Sequence, residues 1–207
     1  MKRSPGIRLG ARMSKKTRSW IVIASLAATL NMAAPALGAE CDDVSVPDSA
    51  KVANADLVLN GLGIRKATFL KVKVYVAGLY LPQKSTDSAE ILSANAPWQV
   101  ALHFVRDVGA SDMHDAFDEG FEKSAGDKLA ALKDRIEALK ASLTDFKEGD
   151  SLAFTHDPAQ GVTVGVNGTN SSAIQGDDFA DALLSIWIGK DPPNKEIKVG
   201  LLGGKCE

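Results

Sequence analysis

Arg65 and Tyr75 are the residues of this chain whose types best suit the binding of a small anion. Both lie in the stretch LNGLGIRKATFLKVKVYVAGLYLP, residues 59–82. A guanidinium and a phenolic hydroxyl both donate hydrogen bonds, and a charged donor strengthens such a bond to a carboxylate. Plainer roles also fit, because most arginines lie at the surface and aromatic side chains often fill half-buried strand faces.

Four charged residues are weaker candidates for the same site. Lys71 and Lys73 are either cations of a ligand cleft or solvated charges that protect a strand from edge-to-edge pairing. Asp112 and Glu119 share one face of a predicted helix, so both could approach a cleft, or could form a solvated acidic face. Two cysteines and three scattered histidines do not form a metal-ligand pattern, so neither a metal nor another cofactor is predicted.

Alternation of apolar and other residues predicts the strand that carries Tyr75. The apolar set is Leu70, Val72, Val74 and Val76, and the intervening set is Lys71, Lys73, Tyr75 and Ala77. This period of two predicts a strand over residues 69–81 with one buried and one mixed face. A short edge strand is predicted at residues 52–59, followed by a turn at Asn60-Gly61. Further strands are predicted at residues 98–105, 151–156 and 161–166.

Helical spacing accounts for most of the remaining chain. Helices are predicted at residues 88–94, from the N-cap Ser111 to Gly126, at 128–143, from Asp177 or Asp178 to Ile188, and at 194–202. Strands that are grouped apart from helices indicate an α+β fold, in which an antiparallel sheet carries helices packed on one face.

The first 39 residues have the pattern of a secretory signal peptide. Seven basic residues precede an apolar run from Trp20 to Leu30, and small residues lead to a predicted cleavage after Ala39. An uncleaved membrane anchor is the alternative, but the apolar run is short for a bilayer span. We therefore predict a signal peptide at residues 1–39, a single domain at residues 40–207, and no stable membrane insertion after cleavage.

Charge and cysteine positions restrict the classes of partner. All 26 acidic residues but only 17 of the 24 basic ones follow Ala39, so the predicted domain carries a formal net charge of −9. This acidic balance argues against nucleic acid or an anionic membrane as a partner. Cys41 and Cys206 lie at the two ends of the domain, which in an exported protein predicts one disulfide between them, with two free thiols as the alternative.

The segment from Arg65 to Leu81 resembles the opening strand block of bacterial chalcone isomerase-like proteins. In that family an arginine precedes a long strand that ends in Gly-x-Tyr-Leu, here Gly78-Leu79-Tyr80-Leu81. The later segment 183–190, LLSIWIGK, resembles the C-terminal helix of the family and its Ile-Gly-Lys ending. The resemblance covers residues 50–204 and implies the chalcone isomerase fold, an open-faced β-sandwich of the α+β class.

The resemblance also implies which residues stand at the functional positions of the family. In the plant enzymes, an arginine and several hydrogen-bond donors stabilise the enolate that forms during an intramolecular ring closure. Arg65 matches the arginine, the strand threonine falls on Tyr75, and Ser185 could stand for a Ser or Thr near the end of the last long helix. The helix tyrosine and asparagine fall near Asp112 or Met113 and near Glu119 or Gly120.

The expected function is therefore ligand binding without catalysis. Most catalytic donors of the family are unmatched, whereas a cation beside an apolar strand suits a fatty acid or a similar small carboxylate. The predicted ligand-binding residues are Arg65, Tyr75, Lys73, Asp112, Glu119 and Ser185. The alternatives are an intramolecular lyase or isomerase acting on an enone, with Arg65 and Tyr75 as its catalytic residues, and a structural module of the cell envelope. The predicted location is periplasmic or secreted.

Overall fold

Antiparallel strands form the centre of the fold. The computed structural model describes residues 38–207. Two short strands, β1 (Ala39–Cys41) and β2 (Val44–Val46), form a hairpin of their own. A seven-stranded sheet follows, in which each strand pairs with the next one along the chain. Its strands are β3 (Ser49–Val52), β4 (Ala55–Ala67), β5 (Val72–Leu81), β6 (Trp98–Phe104), β7 (Ser151–Asp157), β8 (Gly161–Val166) and β9 (Thr169–Asn170).

Helices cover one face of this sheet. They are α1 (Ser88–Ser93), α2 (Ala110–Ala125), α3 (Leu129–Lys140), α4 (Asp177–Ile188) and α5 (Lys195–Leu201), with a short 3-10 turn at Gly126–Lys128 between α2 and α3. The main hydrophobic core joins the apolar faces of α2, α3 and α4 to β5–β8. The predicted α+β class, with helices packed on one face of an antiparallel sheet, is confirmed. No helix within residues 38–207 is long and apolar enough to cross a membrane.

Ion pairs fasten the helices to one another. Both guanidinium nitrogens of Arg135 on α3 donate to the carboxylate of Asp178 on α4, at 2.6 and 2.8 Å. The ammonium of Lys140 donates to Asp118 on α2 at 2.7 Å.

The first turn of α2 has no side-chain cap from Ser111, contrary to the prediction. Instead the N-cap is Gly109, two residues earlier, and the carboxylate of Asp145 accepts from the amide of Ala110 at 2.9 Å.

The predicted turn at Asn60-Gly61 is wrong, because both residues lie inside the long strand β4. The side-chain amide of Asn60 is buried and donates to the carbonyl of Leu201 at 2.7 Å. Its oxygen accepts from the amide of Ser85 at 2.8 Å. The register of β4 against β5 shifts between Leu59 and Gly61, which is a β-bulge. Asn60 therefore connects three parts of the chain instead of ending a strand.

Glycines let α5 lie directly on β4. A Cβ atom at Gly61 would lie 2.1 Å from the carbonyl oxygen of Gly200, and one at Gly63 would lie 2.5 Å from that of Ile197. Such distances are far below van der Waals contact, so any side chain here would force the helix away from the strand. The close approach brings the last helix of the chain against the strand that carries Arg65.

Strand β5 has two buried faces, whereas one buried and one mixed face were predicted. Tyr75, Ala77 and Leu79 face the helices and belong to the main core. Val76 and Tyr80 face the other way, into a smaller cluster with Cys41 and residues of β1–β4. The mixed composition of the Tyr75 face therefore does not indicate exposure to solvent.

The turn between β4 and β5 lies where the long strand was predicted to begin. Residues 68–71 form this turn, and the amide of Lys71 donates to the carbonyl of Thr68 at 3.1 Å. Phe69, Leu70 and Lys71 are consequently exposed in the turn and do not belong to the strand. Arg65 in turn lies within β4, opposite Tyr75, and not in a loop.

A disulfide joins Cys41 of β1 to Cys206 near the end of the chain, as predicted. The Cα atoms of the two cysteines are 6.0 Å apart, and Cys41 is buried. The predicted signal peptide lies outside the described residues except at its last two positions. One of these, Ala39, belongs to β1 and pairs with Val46.

We expect the free energy of unfolding to fall as the pH is lowered through about 6.5, the ordinary pKa of histidine. His156 is only 2% exposed and stacks against Trp98, and burial lowers its pKa. The same effect lowers the pKa of His103. Below pH 6.5 the unfolded chain binds protons at these histidines that the folded protein excludes. The contribution of the two neutral histidines to the free energy of unfolding is therefore complete above pH 6.5 and decreases below it.

Urea unfolding at about pH 8 and about pH 5.5 measures this loss, which cannot exceed about 1.4 kcal/mol per pH unit for each histidine. A His156→Gln variant should show a smaller difference between the two pH values. An unfolding free energy of the natural protein that is equal at both pH values would contradict the prediction.

Candidate functional site

A cavity of about 440 Å³ lies on the helix-covered face of the sheet, beside Arg65 and Tyr75. Strands β4, β5 and β6, helix α2, the end of α4 and the loops that follow β6 and α4 all contribute to its lining. Its volume lies within the range of about 300–1,000 Å³ that is common for sites of small ligands. The cavity is therefore large enough to be a binding site.

Apolar side chains line much of this cavity. They are Val74, Leu102, Val108, Met113, Phe117, Ile186 and Trp187. Phe117 and Trp187 meet edge to face, with ring centroids 6.1 Å apart. Met113 and Phe117 lie one turn apart on the apolar face of α2, which was predicted from their spacing. This lining suits the hydrocarbon part of a ligand.

Arg65 and Tyr75 are direct cross-strand partners on β4 and β5. Opposite residues of antiparallel strands project from the same face of a sheet, so both side chains reach the cavity. Arg65 is half-buried, and one of its guanidinium nitrogens donates to the carbonyl of Lys66. A guanidinium carries further N–H donors, which leaves Arg65 able to bind a ligand.

The hydroxyl of Tyr75 is held by Trp187. The indole nitrogen of Trp187 donates to it at 3.0 Å, and both residues are buried. Burial raises the pKa of Tyr75 and outweighs the lowering effects of this hydrogen bond and of the Arg65 charge. The phenol is therefore protonated at neutral pH. Within residues 38–207 the hydroxyl has no other hydrogen-bond partner, so its proton is available to a ligand.

Three cations line the cavity, and they differ in their pairing. Lys123 forms an ion pair with Glu119 one turn earlier on α2. Neither Arg65 nor Arg106 forms an ion pair within the part of the chain that the structure describes. Arg106 is exposed at the rim, whereas Arg65 is half-buried. Of the two unpaired cations, Arg65 is the one less screened by water.

The acidic side chains around the cavity are all exposed. Asp107 pairs with Lys147 at 2.9 Å, and the hydrogen bond from Lys147 lowers the pKa of Asp107. The hydrogen bond from Lys123 likewise lowers the pKa of Glu119. The two remaining carboxylates are Asp112 and Asp191. Because these groups are paired or solvated at the rim, the half-buried charge beside the cavity is the positive charge of Arg65.

Four of the six predicted ligand-binding residues line this cavity: Arg65, Tyr75, Asp112 and Glu119. Lys73 and Ser185 do not. A second register shift, between the Arg65–Tyr75 pair and the Lys66–Lys73 pair, interrupts the alternation at Val74. Lys73 instead forms an ion pair with Asp42 in the β1–β2 turn.

Ser185 and Trp187 lie two positions apart on α4, which is about 200° around a helix. Trp187 faces the cavity, so Ser185 cannot. The sequence predicted neither the role of Trp187 as the partner of Tyr75 nor the presence of Arg106 at the rim. Trp187 looks like an ordinary core residue of an apolar helix, and Arg106 follows a strand, where charged residues are common.

No group of three or more His, Cys, Asp or Glu side chains within residues 38–207 is placed to hold a metal ion. The chemistry that this site can supply is that of a cation, a neutral phenolic donor and an apolar surface. Such a set can bind the anionic end of an otherwise apolar molecule.

The chain belongs to the chalcone isomerase-like family, whose sequence model matches residues 38–203. Among solved structures, a fatty-acid binding protein from Arabidopsis thaliana is similar to this protein. The two superpose with a TM-score of 0.65, over 77% of this chain and 92% of that chain, at 16% sequence identity. No curated protein matches the sequence.

The family match confirms the predicted resemblance to chalcone isomerase-like proteins, without bearing on a bacterial origin, and extends it by twelve residues toward the N-terminus, from residue 50 to residue 38. The structural likeness, at this low identity, shows the shared fold. An antiparallel sheet with helices packed on one face is thus common to this protein and to a protein that binds fatty acids.

Proposed function

We propose that this protein binds a small apolar carboxylate, such as a fatty acid, in the cavity beside Arg65, and does not transform it. The observation that carries the proposal is the half-buried Arg65, which forms no ion pair within residues 38–207 and lies opposite Tyr75 beside a largely apolar cavity wall. The ligand carboxylate accepts from the guanidinium and from the phenol, and the hydrocarbon part packs against Met113 and Phe117.

The comparisons support this proposal at the level of the fold. The Arabidopsis protein of similar structure is a fatty-acid binding protein. A shared fold does not by itself carry a function, which depends on the residues at the site. Arg65 and Tyr75 supply the polar contacts that a carboxylate needs.

Binding without catalysis is favoured by the residues on α2. Stabilising an enolate needs several preorganised hydrogen-bond donors. At the α2 positions near the tyrosine and asparagine of the enzymes, Met113 and Gly120 have no side-chain donor. The ionised carboxylates of Asp112 and Glu119 accept hydrogen bonds and offer no donor to an enolate.

Export to an oxidising compartment is the second part of the proposal. The basic and apolar residues 1–39 have the pattern of a signal peptide, and the Cys41–Cys206 disulfide is typical of extracytoplasmic proteins. A periplasmic or secreted location follows. Fractionation of cells, with mass determination of the N-terminus of the exported protein, tests this part independently of ligand binding.

Native mass spectrometry of the delipidated protein tests the ligand. Fatty acids of increasing chain length are added, and fatty alcohols of the same lengths serve as the matched control. We expect the acids to bind and the alcohols to bind more weakly, because only the acids pair with Arg65. No adduct with any acid, or equal binding of acid and alcohol, refutes the proposal.

Incubation with chalcones and related enones tests the alternative of an intramolecular lyase, because Arg65 and Tyr75 could stabilise an enolate. We expect ring closure at the rate of the buffer alone. A rate above the buffer that is lost in an Arg65→Ala variant would establish the lyase instead.

Replacing Tyr75 by phenylalanine is expected to weaken fatty acid binding about tenfold, because one hydrogen bond to a charged group is lost. The change also removes the acceptor for the Trp187 indole. A Tyr75→Phe/Trp187→Phe variant controls for that buried donor. Titration with a fatty acid measures both variants, and wild-type affinity in both would show that the Tyr75 hydroxyl does not bind the ligand.

A further inference from the structure

The tip of the β4–β5 hairpin exposes two large apolar side chains next to each other. Phe69 is 91% exposed and Leu70 is 70% exposed. Within residues 38–207, the other exposed large apolar residues are Val58 on β4 and Val199 on α5, neither of which has a second one beside it in the sequence. Single exposed apolar residues are ordinary, whereas an adjacent pair at a protruding turn indicates a surface for interaction.

The geometry of the turn does not account for these residue types. Thr68 and Lys71 have positive φ angles of 62° and 53°. The amide of Lys71 donates to the carbonyl of Thr68 at 3.1 Å, and the amide of Leu70 donates to the Thr68 hydroxyl at 3.3 Å. Turns of this kind usually carry Gly, Asn, Asp or Pro at their centre. Here they carry Phe69 and Leu70, and the hydrogen bonds hold these side chains outward.

Basic residues flank the apolar tip. Residues 65–73 contain two basic residues on each side of the tip and no acidic one, although the described chain has 26 acidic and 17 basic residues. Lys73 is paired with Asp42, and Lys71 lies 3.9 Å from Glu196 in an exposed contact. Lys66 and Lys71 line a second concavity of about 290 Å³, together with Arg65. The hairpin is thus a local positive region on an acidic domain.

We propose that the hairpin tip, residues 66–71, docks onto an anionic lipid surface. Phe69 and Leu70 enter the boundary between headgroups and acyl chains, while Lys66 and Lys71 meet lipid phosphates. Apolar side chains beside lysines are the combination that interfacial segments use, and each lysine near an anionic surface strengthens attachment. The acidic net charge argues against this partner for the domain as a whole. Acidic groups more than about 8 Å from the surface are, however, largely screened at physiological salt.

Docking in this way would place the mouth of the ligand cavity at the membrane. Ala67 and Thr68, at the base of the tip, also line the main cavity. An apolar carboxylate could then pass between bilayer and cavity without crossing open water. The inference goes beyond the proposed ligand and does not depend on it, because the tip itself makes the contact.

A polarity-sensitive fluorophore at the tip tests the proposal in the exported protein, from which residues 1–39 have been removed. The fluorophore is attached through Phe69→Cys, with Val199→Cys as the matched control, because the two native cysteines are held in the disulfide. Vesicles of phosphatidylcholine, with and without one quarter phosphatidylglycerol, are then added. We expect a blue shift of the tip label with the anionic vesicles, weakened by salt, and no shift of the control label. No shift at the tip, or equal shifts at both sites, overturns the proposal.

Unlabelled variants give the magnitude of the effect in a vesicle sedimentation assay. Phe69→Ser/Leu70→Ser should bind anionic vesicles at least about tenfold more weakly than Val199→Ser, because two buried apolar side chains are lost. Lys66→Gln/Lys71→Gln should bind at least about fivefold more weakly. Equal binding of all variants overturns the proposal. A blue shift that grows with protein concentration in the absence of vesicles also overturns it, because it identifies a second copy of the chain as the occupant.

Fatty acid binding from solution separates this inference from the proposed function. The Phe69→Ser/Leu70→Ser variant should bind a soluble fatty acid with wild-type affinity, since neither side chain lines the cavity. If the protein binds vesicles but no fatty acid, the proposed ligand is refuted and the docking proposal is supported. If the protein binds fatty acids but no vesicles, only the docking proposal is refuted.

Discussion

An Arg65→Met protein is expected to bind fatty acids roughly ten- to a hundredfold more weakly than the natural protein, which is the range for losing hydrogen bonds to a charged group. Methionine keeps an unbranched apolar stem against the cavity and removes only the charge and the donors. The loss should be large because Arg65 is half-buried and forms no ion pair with any of residues 38–207. Calorimetric titration measures the affinity.

Arg106 provides the matched control, because it also lines the cavity and also forms no ion pair in the described part of the chain, but is exposed at the rim. We expect Arg106→Met to weaken binding by less than about fivefold, as for other solvent-screened charges. Fatty alcohols should bind the natural protein and both variants alike. Equal losses in Arg65→Met and Arg106→Met would mean that the positive field of the rim, and not a direct contact with Arg65, holds the carboxylate.

Removing the disulfide is expected to lower the free energy of unfolding by about 2–5 kcal/mol. Cys41 and Cys206 are 165 positions apart, and closing so long a loop restricts the unfolded chain strongly. The loop-entropy relation gives about 5 kcal/mol for this separation, and measured values usually fall below the relation. Urea unfolding of a Cys41→Ser/Cys206→Ser variant at neutral pH measures the change.

Reductant supplies the control for this comparison. Adding it to the natural protein should lower the urea midpoint toward that of the double variant, while the variant itself should not respond. A natural protein whose midpoint is the same with and without reductant, although its thiols become reactive, would show that the bond adds no stability. Packing of Cys41 in the smaller hydrophobic cluster would then account for its burial.

The layout of sheet and helices could be predicted from the sequence because it depends on local periodicity. The hairpin of β7 and β8 and the apolar face of α2 follow from the spacing of apolar residues. The error at Asn60-Gly61 has a different origin. That pair has the composition of a turn, but Gly61 is needed for the approach of Gly200, and Asn60 bonds to Leu201. Both partners are remote in sequence, so no local pattern reveals them.

The same limit explains the errors at the candidate site. Placing the turn at residues 68–71 would have paired Arg65 with Val74 from sequence alone, because antiparallel register follows from the turn, whereas the bulge at Val74 makes Tyr75 the partner. The turn was missed because Phe69 favours strands and Leu70 continues the alternation of apolar residues. The bulge at Val74 then removed Lys73 from the cavity, and the sequence carries no Gly or Pro there to indicate it.

The helix period was enough to place two of the predicted residues on the same side of α2. Asp112 and Glu119 share a face of α2 and both reach the rim of the cavity. Ser185 lies away from the cavity because the face of α4 that meets the cavity is set by packing of Trp187 against Phe117 and Phe154. Two faces of a helix that is buried almost all round cannot be told apart by hydrophobicity alone.

The bond between Cys41 and Cys206 also determines how the domain responds to mechanical force. Tension applied at the two ends of the domain passes through this covalent link, since nearly all of the chain between its ends lies inside the closed loop. The seven-stranded sheet then bears little of the applied force, so its strands are not separated one after another. While the disulfide is intact, tension between the two ends of the domain therefore leaves the cavity and the β4–β5 hairpin unchanged in shape.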